Sequence, residues 1–378
     1  MNLRPLRFTQ EKRKRQHFPY LFEAAWGINM KRVLVLGEKI LQFNRLPLEL
    51  YTSYTGGVYE SEVLEYIQKE QIDTLLCDSC HINIASKVLW ESKYIKRYIL
   101  KDTDDALFIE SYNQKIQSKM WDVIAIQSDD NQIAQTGWNS SFTGRLFTKQ
   151  EMHEYVDNAY NKLKPFLNTA ISVLEIGIAS GLTCCAVAPD VRNYIGIDIS
   201  KETLKKTEKT LLKRGIKNVS LICAEALKID TLEIMNQDIV IINSVAQYFP
   251  GYNYFVILLK KLLCCLKEQA VIFVGDILDM DKKDILKSDL QKAGKNKSNK
   301  NDLYYSRDFM RELPAYIPEI YNVEISDKTG YVDNELKKYR YDILIQIDKT
   351  NKRKVAHTKY QYAMKDKNFT ISQIYNEN

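Results

Sequence analysis

The residues best placed to do chemistry cluster around VLEIGIASGLT (173–183), where an apolar run ends in Glu175 and then Gly177 and Gly181 bracket a short loop. Glycine permits the sharp turn at the carboxyl end of a strand and lets the backbone approach a ligand closely. A Gly-x-x-x-Gly loop is weak evidence alone, and its weight comes from spacing. YIGIDIS (194–200) sets Asp198, followed by Ile199, at the end of the next apolar run, 23 residues after Glu175. A carboxylate there can accept both hydroxyls of a ribose. A loop binding a dinucleotide would keep glycine at its middle position, which here is Ala179. ICAEAL (222–227) then places Glu225 and Ala226 after a third run. Glu225 could take a hydrogen bond from an adenine amino group, and a solvated loop acid is the equal alternative.

Such residues need a sheet to hold them. Strands are predicted at 171–176, 193–197, 218–222, 238–242, 270–274, 319–325 and 341–347, with helices in the first four gaps and little room for one in the last. That pattern describes an α/β fold: a doubly wound, mostly parallel seven-stranded sheet with an antiparallel edge. Thr148 and Glu151 have the spacing of a capping box at the head of a helix over 148–167. Earlier in the chain, MKRVLVLGE (30–38), 72–78 and 95–102 read as strands, and 60–70 and 84–92 as helices. They describe a smaller α/β module without a glycine-rich loop after its first strand. The expected organisation is an arm over 1–29 with a short helix near FPYLFEAAWGI, the small module over 30–105, a helical connector and opening segment over 106–149, the main domain over 150–347, and a basic tail over 348–378 that could dock as a helix.

Composition narrows the class. The chain has 378 residues and a formal net charge of +6, but the positive charge is local. Residues 1–16, the lysine-rich QKAGKNKSNK (291–300) and residues 349–378 carry it, which leaves the remainder of the chain net negative. A phosphate-tracking groove needs positive charge on the folded surface, so nucleic acid is not an expected partner. No run is long and apolar enough to span a bilayer, and the basic start lacks the apolar core of a secretory leader, so a cytoplasmic protein with no membrane partner is expected. The seven cysteines have no framework spacing and read as reduced thiols. CDSCH (77–81) has the spacing of haem attachment, but it closes an apolar strand and has no second Cys/His pair nearby, so no metal is expected.

Four segments together resemble the S-adenosylmethionine-dependent N-methyltransferase domains embedded in nonribosomal peptide synthetases: GWNSSFTG (137–144) before a helix with Glu151-Met152, VLEIGIASGL, NSVAQYFP (243–250) followed by FVGD (273–276), and NELKKYRYDILI (334–345). The resemblance covers about residues 120–347 and implies S-adenosylmethionine as cofactor, held by Glu175, Gly177, Ala179, Gly181, Asp198, Ile199, Glu225, Ala226 and Asn243. It implies methylation of an amino acid, peptide or related amine, free or tethered to a carrier protein, with a carrier or synthetase as a further partner. Gln247 and Tyr248 would orient the amine, with Glu335 and then Asp276 as proton acceptors. The plain alternatives are aromatic packing for Tyr248 and Phe249 and a salt bridge for Arg340. Two departures stand out: Ala179, whose methyl must fit near the cofactor, and Ile-Leu-Asp after Asp276, where the family often has a basic residue. Methyl transfer to oxygen or carbon, or a scaffold that has lost transfer, are the competing readings.

Overall fold

The computed structural model describes residues 33–36, 51–54, 60–77, 81–100, 118–128, 138–295, 302–351, 359–361 and 368–370. The N-terminal arm and the first part of the connector lie outside them. The chain divides into two units, one containing residues 1–103 and 358–374, the other residues 104–357 with the last four residues.

The first unit is a four-stranded parallel sheet. Its strands are β1 (Val33–Leu36), β2 (Tyr51–Tyr54), β3 (Thr74–Cys77) and β4 (Arg97–Leu100), in the order β2-β1-β3-β4. Helices α1 (Glu60–Glu70) and α2 (Ile82–Glu91) precede β3 and β4 and bury Val63, Ile67, Ala85 and Val88. Strand β2 was not expected. Its Tyr-Thr-Ser-Tyr sequence has no apolar run to mark it, because an edge position pairs on one side only. Cys77 is buried with its Sγ 3.1 Å from the Tyr98 hydroxyl, while Cys80 lies outside the described residues.

The second unit opens with α3 (Ser118–Gln127) and α4 (Lys149–Leu163). The capping box is present: Thr148 Oγ1 accepts from the Glu151 amide at 3.2 Å, and the Thr148 amide donates to Glu151 Oε2 at 2.8 Å. Then follow β5 (Ser172–Ile176), α5 (Leu182–Val187), β6 (Asn193–Asp198), α6 (Lys201–Lys213), β7 (Val219–Cys223), β8 (Gln237–Asn243), α7 (Tyr252–Leu262) and β9 (Leu266–Leu278). The chain finishes the sheet with α8 (Lys283–Lys292), α9 (Arg307–Tyr316), β10 (Ile320–Asp327), the single-turn α10 (Glu335–Lys338) and β11 (Arg340–Asp348). The sheet order is β10-β11-β9-β8-β5-β6-β7, with β11 antiparallel to both β9 and β10 and the rest parallel. This is the doubly wound, Rossmann-like arrangement, and its strand order reverses between β5 and β8.

Sequence and position agree strand by strand. β5 is buried along its whole length, as a central parallel strand covered on both faces must be, whereas the edge strand β10 is largely exposed. Val173, Ile239, Ile241 and Phe273 pack with Leu204 and Leu211 of α6 and Leu163 of α4 into one core. Tyr252, Phe255, Tyr305 and Phe309 form a second, aromatic cluster with centroid separations from 4.5 to 6.5 Å. The gap between β7 and β8 departs from expectation. It holds a 3-10 turn over Ala226–Thr231 instead of an α-helix, since only thirteen residues separate the two strands and part of them is spent on Glu225. The basic tail also differs: β12 (Lys359–Gln361) pairs antiparallel with β13 (Asn368–Thr370). Among the described residues no helix is long and apolar enough to cross a membrane.

One buried charge cluster fixes the antiparallel edge. In β9, Gly275 and Asp276 stand opposite the single residue Asp342 of β11, a β-bulge that throws Asp276 into a left-handed conformation at φ 62°. Asp342 accepts from the Asp276 amide at 2.7 Å, from Asn158 Nδ2 at 2.7 Å and from Lys162 Nζ at 2.6 Å, the last two on α4. Lys328, after β10, donates to Asp276 at 2.8 Å and lies 3.8 Å from Asp342. Burial pushes both carboxyls up, but the surrounding cations and donors hold both below the usual carboxylate range. Removing one partner of such a cluster strands the others in low dielectric. Asp342→Ala is expected to cost about 3–5 kcal/mol of unfolding free energy, read from urea denaturation, and a loss below about 1 kcal/mol would mean that water replaces the carboxylate without penalty.

Candidate active site

At the carboxyl ends of β5 and β8 the sheet opens into a cavity of about 430 Å³, within the range of small-molecule sites. Its floor is the loop after β5. Gly177 and Gly181 are left-handed at φ 74° and 75°, and Ala179 between them is left-handed as well at φ 49°. A side chain on Gly177 would sit 2.4 Å from a Val245 methyl, so the loop can press against the segment after β8 only because that residue is glycine. Ala179 holds its conformation through two contacts: its amide donates to Asp198 Oδ2 at 2.9 Å, and its carbonyl accepts from the Thr207 hydroxyl. Its methyl group is therefore accommodated, at the cost of a left-handed backbone.

Asp198, half-buried at the end of β6, accepts from Ala179 with one oxygen and from the Ser200 amide at 2.9 Å with the other. Burial pushes its carboxyl up, partly offset by the backbone donors from Ser200, Ala179 and Ile199. A carboxylate has about four acceptor positions, so both oxygens can still serve a diol. Glu175 is more enclosed. It accepts from the Tyr194 hydroxyl at 2.7 Å, and burial lifts its carboxyl to about 8, opposed by that hydrogen bond and aided by Asp198. A cation brought beside it would favour the carboxylate form. Ile199 and Ala226 also line the cavity. Glu225 lines it too, but its two oxygens are committed to the Leu227 amide at 3.0 Å and to the Tyr254 hydroxyl of α7. An adenine amino group would have to share an oxygen with one of them. Gly181 stands outside the wall and serves as the N-cap of α5.

The opposite wall is built by the turn after β8. Asn243 donates to Thr183 Oγ1 at 3.1 Å, and its Oδ1, which has no hydrogen-bond partner, occupies the space that a side chain on Gly275 would need. Ser244 is left-handed at φ 62° and donates to Asp276 Oδ2 at 2.6 Å. Gln247 donates through Nε2 to the Ser244 carbonyl at 2.9 Å, which leaves its buried Oε1 without a hydrogen-bond partner. Tyr248 packs edge-on against Trp121 of α3, with ring centroids 5.1 Å apart. Burial and the nearby Asp302 push its phenol up to about 12, so it stays neutral. Phe249 packs on Tyr254, as plain aromatic packing would have it.

Of the two expected proton acceptors, the structure brings only one to the cavity. Asp276 is fully buried and outside the wall, its oxygens taken by Lys328, Arg340 and Ser244, because it is a member of the charge cluster behind the site. It cannot accept a substrate proton from there. Glu335, at the first turn of α10, does line the cavity and accepts from the Ser141 amide with both oxygens, at 2.9 and 3.1 Å. Arg340 forms the salt bridge with Asp276 and also reaches the wall.

Three positions around the cavity, Asp302, Trp121 and Tyr155, carried no motif in the sequence, while Trp138 falls in the GWNSSFTG segment. Asp302 lines the wall from the strap before α9, Trp121 covers it from α3, and Trp138 and Tyr155 meet edge-on at 4.7 Å on the far side. The clamp that seats α3 was equally hidden: Asp122 accepts from the Ser200 hydroxyl at 2.6 Å and from the Glu202 amide at 3.2 Å at the head of α6, and Ser118 donates to the Ile199 carbonyl at 3.4 Å. A tryptophan or an aspartate on an amphipathic helix has no signature until its neighbours are known.

A left-handed alanine costs roughly 1–2 kcal/mol relative to an unstrained one, and glycine escapes that cost. Ala179→Gly is therefore expected to raise stability by about 1 kcal/mol, read from the urea midpoint. A drop in stability would show that the alanine methyl makes packing contacts worth more than its backbone strain.

Comparison with known proteins agrees with this geometry. Residues 167–344 match the family described as a methyltransferase domain. The chain is 30% identical over 233 residues to chondramide synthase of Chondromyces crocatus, an alignment covering 57% of this chain and 6% of that protein. It is 29% identical over 217 residues to a probable non-canonical nonribosomal peptide synthetase of Salinispora arenicola, covering 55% of this chain and 3% of that protein. It is 30% identical over 234 residues to a peramine synthetase of Metarhizium rileyi, covering 56% of this chain and 8% of that protein. The matched segment is thus less than a tenth of the length of each of these relatives.

Proposed function

We propose that this chain, which carries an S-adenosylmethionine-dependent methyltransferase domain homologous to segments of nonribosomal peptide synthetases, methylates the nitrogen of an amino acid, peptide or related amine. The acceptor is free or tethered to a carrier protein, the setting is the cytoplasm, and a carrier or synthetase is the natural partner.

The donor supplies an electrophilic methyl group on a sulfonium sulfur, and its transfer to nitrogen leaves a neutral thioether and one proton to place. The residues after β5 and β6 are suited to hold it. Asp198 retains acceptor positions for a ribose, Glu175 offers a buried carboxylate to a cationic group, and the Gly177–Gly181 loop supplies close backbone with Ala179 fitted into it. Ile199, Ala226 and Asn243 flank that space, with Glu225 supporting it through Tyr254.

One observation carries the choice of nitrogen: Gln247 Oε1 is buried in the cavity wall with no hydrogen-bond partner. A buried carbonyl oxygen left unpaired costs roughly 1–3 kcal/mol, so it calls for a donor from the ligand. A primary amine that points its lone pair at the methyl group still has two N–H groups to give, whereas a hydroxyl has one proton and loses it in the reaction. Gln247 accepts one N–H, neutral Tyr248 offers its phenol oxygen beside it, and Glu335 adds negative charge to the same wall while fastening Ser141. Positioning of this kind accounts for most of the rate in such transfers.

Calorimetric titration with S-adenosylmethionine and S-adenosylhomocysteine should show binding to the unaltered protein, weakened about 10–100-fold in Asp198→Ala. Unchanged affinity in that variant would remove Asp198 from the ribose site. With labelled donor and the N-acetylcysteamine thioesters of valine and of its hydroxy-acid analogue, methyl should appear on the valine nitrogen; label on oxygen or carbon would sink the amine reading. Gln247→Ala and Glu335→Gln should each lower turnover about 10–100-fold with cofactor affinity retained, and full activity in both would take them out of the mechanism.

A further inference from the structure

Proton placement needs a carboxylate in the cavity wall. Asp276 lies behind the wall, the Tyr248 phenol is far from ionising, and Glu335 lines the wall but is tied to the Ser141 amide through both oxygens. A third carboxylate, Asp302, is half-buried in the same wall. It opens a strap over 302–306 that runs across the carboxyl edge of the sheet. Leu303 donates from its amide to the Gln247 carbonyl at 2.8 Å, Tyr305 donates to the Leu278 carbonyl at 2.9 Å, and Tyr252 hydrogen-bonds the Tyr304 carbonyl. The Leu303–Gln247 bond sets Asp302 directly beside the turn whose carboxamide oxygen awaits a donor. Among the described residues no hydrogen bond to the Asp302 carboxylate is present, so its acceptor positions are open to a ligand.

We propose that Asp302 is the catalytic base that takes the proton from the substrate ammonium, with Gln247 Oε1 holding a second N–H. This rests on the amine reading above. In the step, one N–H bond of the ammonium breaks, an O–H bond forms on the Asp302 carboxylate, and the electron pair freed on nitrogen becomes the nucleophile. The proton then passes to solvent, and the product leaves as the methylated ammonium.

The charges facing Asp302 suit the role. Among the described residues, Arg340 of β11 is the cation that acts on it, itself held to Asp276; Tyr248 and Tyr304 are the phenols beside it, and Glu335 faces it across Arg340 and Tyr304. Burial raises the Asp302 carboxyl to about 6 against the lowering effect of Arg340. A carboxylate so tuned is ionised at neutral pH and yet basic enough to accept from an α-ammonium, whose ordinary value is about 7.7–8.0.

The test uses the full chain saturated with S-adenosylhomocysteine, titrated with the N-acetylcysteamine thioesters of valine and of its deamino counterpart. The unaltered protein should prefer the amine about tenfold or more, and Asp302→Asn should shrink that preference severalfold, leaving the share due to Gln247, with Asp302→Glu restoring part of it and S-adenosylhomocysteine affinity unchanged in both. In turnover, the acidic limb of kcat/KM near pH 6 should vanish in Asp302→Asn along with most of the rate. If the unaltered protein shows the preference and Asp302→Asn keeps it in full along with the acidic limb, the role of Asp302 is overturned while the amine reading stands. If the unaltered protein binds the two thioesters equally, the amine reading fails and this proposal falls with it.

Discussion

The active side of this domain depends on a charge cluster whose two carboxylates are sealed from solvent. The bulge in β9 places Asp276 and Asp342 against one another, a pairing that would be repulsive without Lys162, Lys328, Arg340 and the amide of Asp276 itself. Two buried carboxylates thereby become the fastening between α4, β9, β11 and the segment after β10. From the front of the cluster, Asp276 holds the Ser244 hydroxyl and the Arg340 guanidinium, so the turn that carries Gln247 and the cation that faces Asp302 share one anchor. Buried ion pairs are weak evidence of net stability, and this one makes better sense as a device of position. It sets where the wall stands.

Around that anchor the strained residues gather at the carboxyl edge of the sheet. Ala179, Ser244 and Asp276 all adopt left-handed backbone, and each is tied by a named hydrogen bond. Strain that is held in this way near a cavity keeps backbone donors and side chains aimed before any ligand arrives. The reversal of strand order between β5 and β8 supplies the opening. In the function proposed above, the loops on its two sides divide the work, one serving the nucleoside of the donor and the other the acceptor.

Much of this was legible in the sequence, and the pattern of success is physical. The central strands were located because a parallel strand covered on both faces must be apolar, and Glu175, Gly177, Asp198 and Asn243 were placed at the cavity because they stand at the carboxyl ends of such strands or directly after them. Strand β2 was hidden because an edge strand of Tyr, Thr and Ser carries no apolar signal. The turn between β7 and β8 was read as helical because its residues tolerate both forms. Asp276 illustrates a deeper limit. Its place after FVGD (273–276) suggested chemistry, but a bulge opposite Asp342 turned its side chain into the interior. Asp302 is the converse case, an acid next to a lysine-rich stretch that only the strap's bond to Gln247 carries into the wall.

The cap that Asp122 gives to α6 bears on how the cavity is entered. Helices ordinarily cap themselves from the residue before the first turn, and α6 does so with Ser200 as well. By accepting hydrogen bonds from the Ser200 hydroxyl and the Glu202 amide, Asp122 makes the covering helix part of the floor's own termination. Swinging α3 away would leave a helix end short of an acceptor, a loss on the order of 0.5–2 kcal/mol. Because α3 also carries Trp121 into the cavity wall, any displacement of that side of the wall is coupled to fraying at the start of α6.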